Sequence, residues 1–153
     1  MHRPKSGFTI LEVLVVVVFV GILAAVAIYS LNITRASNRD AKRVSDVSVI
    51  RSAITQFWLQ QATYPASGPI DLGKPGAGAD RLTGGGFVPS DADSTPVYLQ
   101  QIPQAPNSGE YYRYHGSSAG YSLRFVTERA TAYGPAGSWY MHAGGVDTED
   151  SEK

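Results

Sequence analysis

Cysteine is absent from the 153 residues, and that absence removes disulfides, thiolate zinc sites, thiol nucleophiles and iron–sulfur clusters together. If the folded part lies outside the cytoplasm, packing alone must hold it. An excess of charge is also missing: 13 Lys and Arg balance 13 Asp and Glu, so no whole-chain basic field draws the protein onto nucleic acid. Histidine is scarce, with three residues, His2, His115 and His142, and no zinc-protease helix motif or nucleophile elbow accompanies them. Charge of either sign is missing altogether from Val13 to Thr34. At 1.5 Å per residue that stretch reaches roughly 30 Å as a helix, the thickness of a bilayer core.

What precedes the span is basic: His2, Arg3 and Lys5 lead into "KSGFTILEV". A cleaved secretory signal peptide begins the same way. Its apolar stretch is shorter, about 7–15 residues, whereas here the Ala24-Ala25 pair is followed by more apolar sequence rather than a polar mature start. Glu12 is the anomaly. A carboxylate within an apolar span costs on the order of 2.5–3.5 kcal/mol at a helix centre and less near the interface, so it is expected to have a partner.

Gly7, Phe8, Thr9, Ile10, Leu11 and Glu12 join the basic leader to the apolar run. The segment "GFTILEVLVVVVFVGILAAVAI", with Gly21 and Ala24-Ala25, resembles the N-terminus of the type IV pilin and type II secretion pseudopilin superfamily. There a basic leader ends in Gly, Phe usually follows, and a Glu stands four residues on. The resemblance implies that a membrane-embedded prepilin peptidase cuts between Gly7 and Phe8 on the cytoplasmic side and that Phe8 is N-methylated. Cleavage removes two of the 13 Lys and Arg, leaving 11 against 13 Asp and Glu. The resemblance also gives Glu12 a partner: the new ammonium on Phe8 of a neighbouring subunit, which sets the axial register of helices entering a filament. The alternative is an interfacial Glu that snorkels and has no assembly role. The basic leader fits the positive-inside arrangement, although Arg35, Arg39, Lys42 and Arg43 beyond the span weaken that signal. Tyr29 stands where many family members carry proline, which implies a straighter helix and leaves helix melting during assembly an open point.

Beyond the span, Val44, Val47, Ile50, Ile54, Phe57 and Trp58 recur at spacings of three and four, one face of an amphipathic helix. Arg39, Asp40, Lys42, Arg43, Asp46 and Arg51 are expected on the rest. One helix from about Thr9 to Gln61 is predicted, ended by Tyr64-Pro65, with Phe57 and Trp58 as core. The Gly- and Pro-rich stretch to Pro96 reads as a long exposed connection. Its "GKPGAGAD" does not fit a phosphate-binding loop, which needs Lys directly after the last Gly. "EYYRYH", "YSLRFVT" and "SWYMHA" read as an antiparallel meander of three or four strands covered by the helix. Tyr121, Leu123 and Phe125 are expected on one face, Ser122 and Arg124 on the other.

The fold class is therefore α+β: a long N-terminal helix, transmembrane in its first half and amphipathic in its second, packed on a small antiparallel sheet. The expected segments are a leader (1–7), the span and filament-core helix (8–34), the amphipathic helix (35–63), the variable loop (64–97), the sheet (98–143) and an acidic tail (144–153). No catalytic residue, enzymatic activity or cofactor is expected. His115 and His142 read as partly exposed structural residues. Some relatives bind calcium near the C-terminus, and Asp147, Glu149 and Asp150 are the candidate ligands here, but they stand at the end of the chain without a loop, so a solvated tail is expected instead. Tyr111, Tyr112 and Tyr114 around Arg113 could stack on bases, as in DNA-uptake pilins; sheet packing is the simpler account. The resemblance implies a subunit held in the inner membrane by one span and then polymerised, with itself or related subunits, into a surface or periplasmic filament. Its implied partners are the prepilin peptidase and an inner-membrane assembly platform, and Phe8 and Glu12 carry assembly. A single-span anchor for a binding or enzymatic domain, and a minor or competence pilin engaging DNA, are the alternatives.

Overall fold

A computed structural model describes residues 7–153. His2, Arg3 and Lys5, and with them most of the expected leader, lie outside the described residues. One helix and eight strands follow in order: α1 (Ile10–Gln61), β1 (Ser67–Leu72), β2 (Arg81–Thr83), β3 (Gly86–Val88), β4 (Val97–Leu99), β5 (Tyr112–Gly116), β6 (Tyr121–Thr127), β7 (Gly137–Met141) and β8 (Val146–Asp147). Of the described residues, 7–36 form one unit and Ser37–Lys153 another.

The first unit is the apolar part of α1. Proline, which breaks helices by removing a backbone donor, does not occur there. The helix passes Tyr29 without interruption. None of its most apolar window is buried, so within a single chain these side chains have no apolar cover. A helix is the form that such a segment adopts in lipid, because it satisfies every backbone group internally.

In the second unit the remainder of α1 buries Asp40, Arg43, Asp46, Val47, Ile50, Ala53, Ile54 and Phe57. These positions repeat every three or four residues, the stripe of one helix face. The apolar ones, Val47, Ile50, Ala53, Ile54 and Phe57, form one core with Leu72, Tyr112, Tyr114, Tyr121, Leu123, Phe125, Trp139 and Met141. Thus a helix covers one side of an antiparallel sheet. Three of the expected charged positions, Asp40, Arg43 and Asp46, lie on the buried face rather than in solvent. Trp58, expected in the core, is 43% exposed and stacks on Tyr64 with ring centres 6.3 Å apart. The helix ends at Gln61, before Tyr64-Pro65. Ala62 takes a left-handed φ of 54° and donates its N–H to the Trp58 carbonyl at 2.8 Å, a closing turn usually given to glycine.

The main sheet has five strands, ordered β1-β5-β6-β7-β8, and all its pairings are antiparallel. Tyr121, Leu123 and Phe125 share the buried face of β6, as alternation requires. The stretch expected to be a loop supplies the edge strand β1 as well as β2 and β3, and the latter two form a second sheet with β4, ordered β3-β2-β4. These strands are short, and β1 carries Gly and Pro, so pairing rather than residue pattern defines them. The expected free tail is also corrected: β8 pairs with β7, and the Ala143 N–H donates to the Lys153 carbonyl at 3.2 Å.

Candidate functional site

Thr9 opens α1. Its hydroxyl accepts the Glu12 N–H at 3.2 Å and its carbonyl accepts the Val13 N–H at 3.2 Å. This places Thr9 as the N-cap and Glu12 three residues on, the spacing of a capping box. Glu12 therefore stands in the first turn, where the partial positive charge of the helix end favours a carboxylate by about 0.3–1 kcal/mol. Gly7 and Phe8 precede the helix as exposed, irregular backbone. A Cβ added at Gly7 would meet nothing within 4 Å, so packing among the described residues gives no reason for glycine there. Phe8 is 82% exposed and Ile10 88% exposed. Gly21 also faces open space, and with Ala25 four residues on it has the small-residue spacing that lets two membrane helices approach closely.

The arrangement is a capped, wholly uncovered apolar helix with one carboxylate near its start. Residues 2–28 match the family described as the prokaryotic N-terminal methylation motif. The chain is 32% identical over 112 residues to the type II secretion system core protein G of Klebsiella michiganensis, covering 72% of this chain and 73% of that protein. It is 30% identical over 113 residues to the core protein G of Dickeya chrysanthemi, covering 72% and 69%. A type IV major pilin protein of Neisseria gonorrhoeae is 29% identical over 75 residues, covering 49% of this chain and 35% of that pilin. The chain belongs to the type IV pilin and pseudopilin superfamily. No solved structure matches it significantly. As a pilin-superfamily subunit it is a structural, non-enzymatic component of a pilus or pseudopilus, anchored in a membrane by one span and polymerising with itself.

At one end of its head, this pilin-type subunit carries an ion network that the hydrophobic pattern did not announce. Arg43 is 1% exposed. It forks onto Glu110 through Nε and Nη2, each at 2.7 Å, and reaches Asp40 at 2.7 Å and Glu128 at 2.9 Å through Nη1. Asp40 accepts the backbone N–H groups of Glu128 and Arg129, at 2.9 and 2.8 Å. Arg39 also clamps Glu128, and the Arg39 hydrogen bond, followed by Arg43, holds the Glu128 carboxyl down to about 2. Asp46 accepts Lys42 at 2.5 Å and the Tyr112 hydroxyl at 2.7 Å. Burial, with the Asp46 bond second, pushes the Tyr112 phenol upward. One signal in the sequence did exist: Asp40 and Arg43 fall in step with Val47, Ile50 and Ile54 on the stripe.

The C-terminal carboxylates are engaged within the chain. Asp147 meets Lys153 at 3.0 Å and His142 at 3.1 Å, Glu149 meets Lys153 at 2.5 Å, and Asp150 accepts from Ser122 at 2.8 Å. The Glu149 N–H, with Lys153 next, holds the Asp147 carboxyl near 2. Among the described residues no group of three or more His, Asp or Glu converges as metal ligands. His142 is buried rather than partly exposed, with both ring nitrogens facing oxygens, at 3.0 Å for Tyr121 O and 3.1 Å for Asp147 and Glu149 O. His115 is partly covered and meets Asp150 at 2.7 Å. Tyr112 and Tyr114 are buried, which removes two of the three rings that base stacking would need.

Proposed function

We propose that the chain is the subunit of a type II secretion pseudopilus, made as a precursor, trimmed between Gly7 and Phe8 by a prepilin peptidase, and N-methylated on Phe8. An assembly platform in the inner membrane then adds it to a filament in the periplasm or at the surface. The uncovered helix carries this reading, since an apolar surface of that size needs lipid before assembly and other helices after it. Similarity to core protein G along about 70% of both chains favours secretion over a surface pilus. In the filament the Phe8 ammonium, freed by the cut, pairs with Glu12 of a neighbour, and neither charge then remains alone in apolar surroundings. Nucleic acid is the less favoured partner, because only Tyr111 of the three clustered tyrosines stays accessible.

The test is the mass of the mature N-terminus. A chain beginning at Phe8 with one added methyl group is expected, and Gly7→Leu should leave the precursor uncut. A chain retaining Met1 in membranes that process other prepilins would overturn the reading in favour of a simple single-span anchor.

A further inference from the structure

The face of the five-stranded sheet opposite the core carries two arginines that make no ion pair among the described residues. Arg113 on β5 stands directly across from Arg124 on β6, and Arg124 directly across from Tyr140 on β7. Like charges placed directly opposite on a sheet repel and weaken it. Among the described residues neither guanidinium lies within ion-pair distance of a carboxylate. Arg124 donates from Nη2 to the Ser138 hydroxyl at 3.1 Å, while its buried Nε has no acceptor. On the far side of Arg113, Asp71 is bound to Lys74 at 3.0 Å. The two arginines share a cavity with His115, Tyr140 and Asp150. Asp150, the carboxylate on its wall, is committed to His115 and Ser122, at 2.7 and 2.8 Å. Two planar donor forks thus face a common space, an arrangement suited to carboxylates.

The complementary piece lies in the same chain. Asp91 and Asp93 sit on the turn between β3 and β4, both exposed and, among the described residues, without an ion-pair partner. The base of that turn is fixed, since Ser90 donates its N–H to Asp80 at 3.2 Å and accepts from Arg81 at 3.3 Å. We infer that Arg113 and Arg124 form a carboxylate-binding site for Asp91 and Asp93 of a second copy of this chain. Patch and turn are different surfaces, so the contact is heterologous and repeats along a filament instead of closing into a pair. The inference rests on self-assembly, but not on the Phe8–Glu12 contact.

Cysteine cross-linking tests it in the full-length chain, whose lack of native cysteine leaves no background. Ala92→Cys marks the turn, and Val126→Cys marks the patch, being exposed and two residues from Arg124 on the same face of β6. On mild oxidation of assembled filaments the double-cysteine chain should give a ladder of multimers, while a mixture of the two single-cysteine chains should stop at dimers. Asp91→Lys with Asp93→Lys, which leaves the sheet untouched, should lower the yield about tenfold, the effect expected of two partly exposed ion pairs. Adding Arg113→Glu with Arg124→Glu should restore it. Filaments that sediment normally without a ladder, a ladder indifferent to the turn variant, or capture of a different protein would each overturn the site while leaving assembly intact. Loss of both filaments and ladder in the double-cysteine chain would overturn assembly and site together.

Discussion

Arg43 shows how a single buried charge is stabilised and what it costs to remove. Its guanidinium faces Asp40, Glu110 and Glu128 with no water-facing surface of consequence. Truncating it takes the cation from Asp40 and Glu110 and leaves Glu128 with Arg39 alone, and breaking a buried pair from one side costs about 3–5 kcal/mol. Arg43→Met, similar in length and apolar, should therefore lower the thermal midpoint of the detergent-solubilised chain by roughly 6–20 °C. A shift within about 2 °C would show that the network contributes little. Acid should act on the same place. The folded Glu128 carboxyl is held near 2 against an ordinary 4.5. A depressed folded value gives stability that is present above the ordinary value and lost as pH falls toward the folded one. The midpoint should thus drop between pH 4.5 and 2, by less than the full linkage because Glu128 is partly exposed. Glu128→Gln should flatten that drop, and an unchanged slope in the variant would remove Glu128 from the account.

Among the elements, the C-terminal segment departs furthest from the pattern of its residues. Seven polar or charged residues follow Val146 in "VDTEDSEK" and give no hydrophobic period, yet β8 joins the sheet and Lys153 packs on Gly120. A Cβ at Gly120 would stand 2.8 Å from the Lys153 backbone, so the contact requires glycine. Gly120→Ala should lift the last residues off the sheet at a cost of about 1 kcal/mol and speed their removal by carboxypeptidase. Equal trimming of both chains would return the segment to solvent. The contrast with α1, β5, β6 and β7 explains what was legible. Those elements repeat apolar residues at the helix or strand period, and the Gly7-to-Glu12 junction is a local motif. Strand β1 and the Arg43 network depend on partners far away in sequence, while β2, β3 and β8 pair with near neighbours but span only two or three residues each, too few to record a period. At Asp40 and Arg43 residue type points to solvent while position in the helical repeat points to the core, and position decides.

For the whole molecule, the question is whether Glu12 serves its own helix or its neighbour's. Both roles fit its place, since the Glu12 N–H is bonded to the Thr9 hydroxyl and the carboxylate stands in the first turn. The magnitudes separate them. A first-turn carboxylate stabilises its helix by about 0.3–1 kcal/mol, whereas an ammonium left alone in apolar surroundings costs on the order of 3 kcal/mol at every subunit contact. The second figure corresponds to about a hundredfold weaker addition of each subunit. Because a filament needs many additions in succession, a loss of that size abolishes it, and a loss of 1 kcal/mol only shortens it. Glu12→Ala and Glu12→Gln should both be trimmed to Phe8 and retained in the membrane, yet give no sedimentable filament. Gln matters here because it keeps the size and hydrogen-bonding capacity of Glu and removes only the charge. Filaments of near-normal length from Glu12→Gln would assign the carboxylate to the helix end and leave the Phe8 ammonium to another partner.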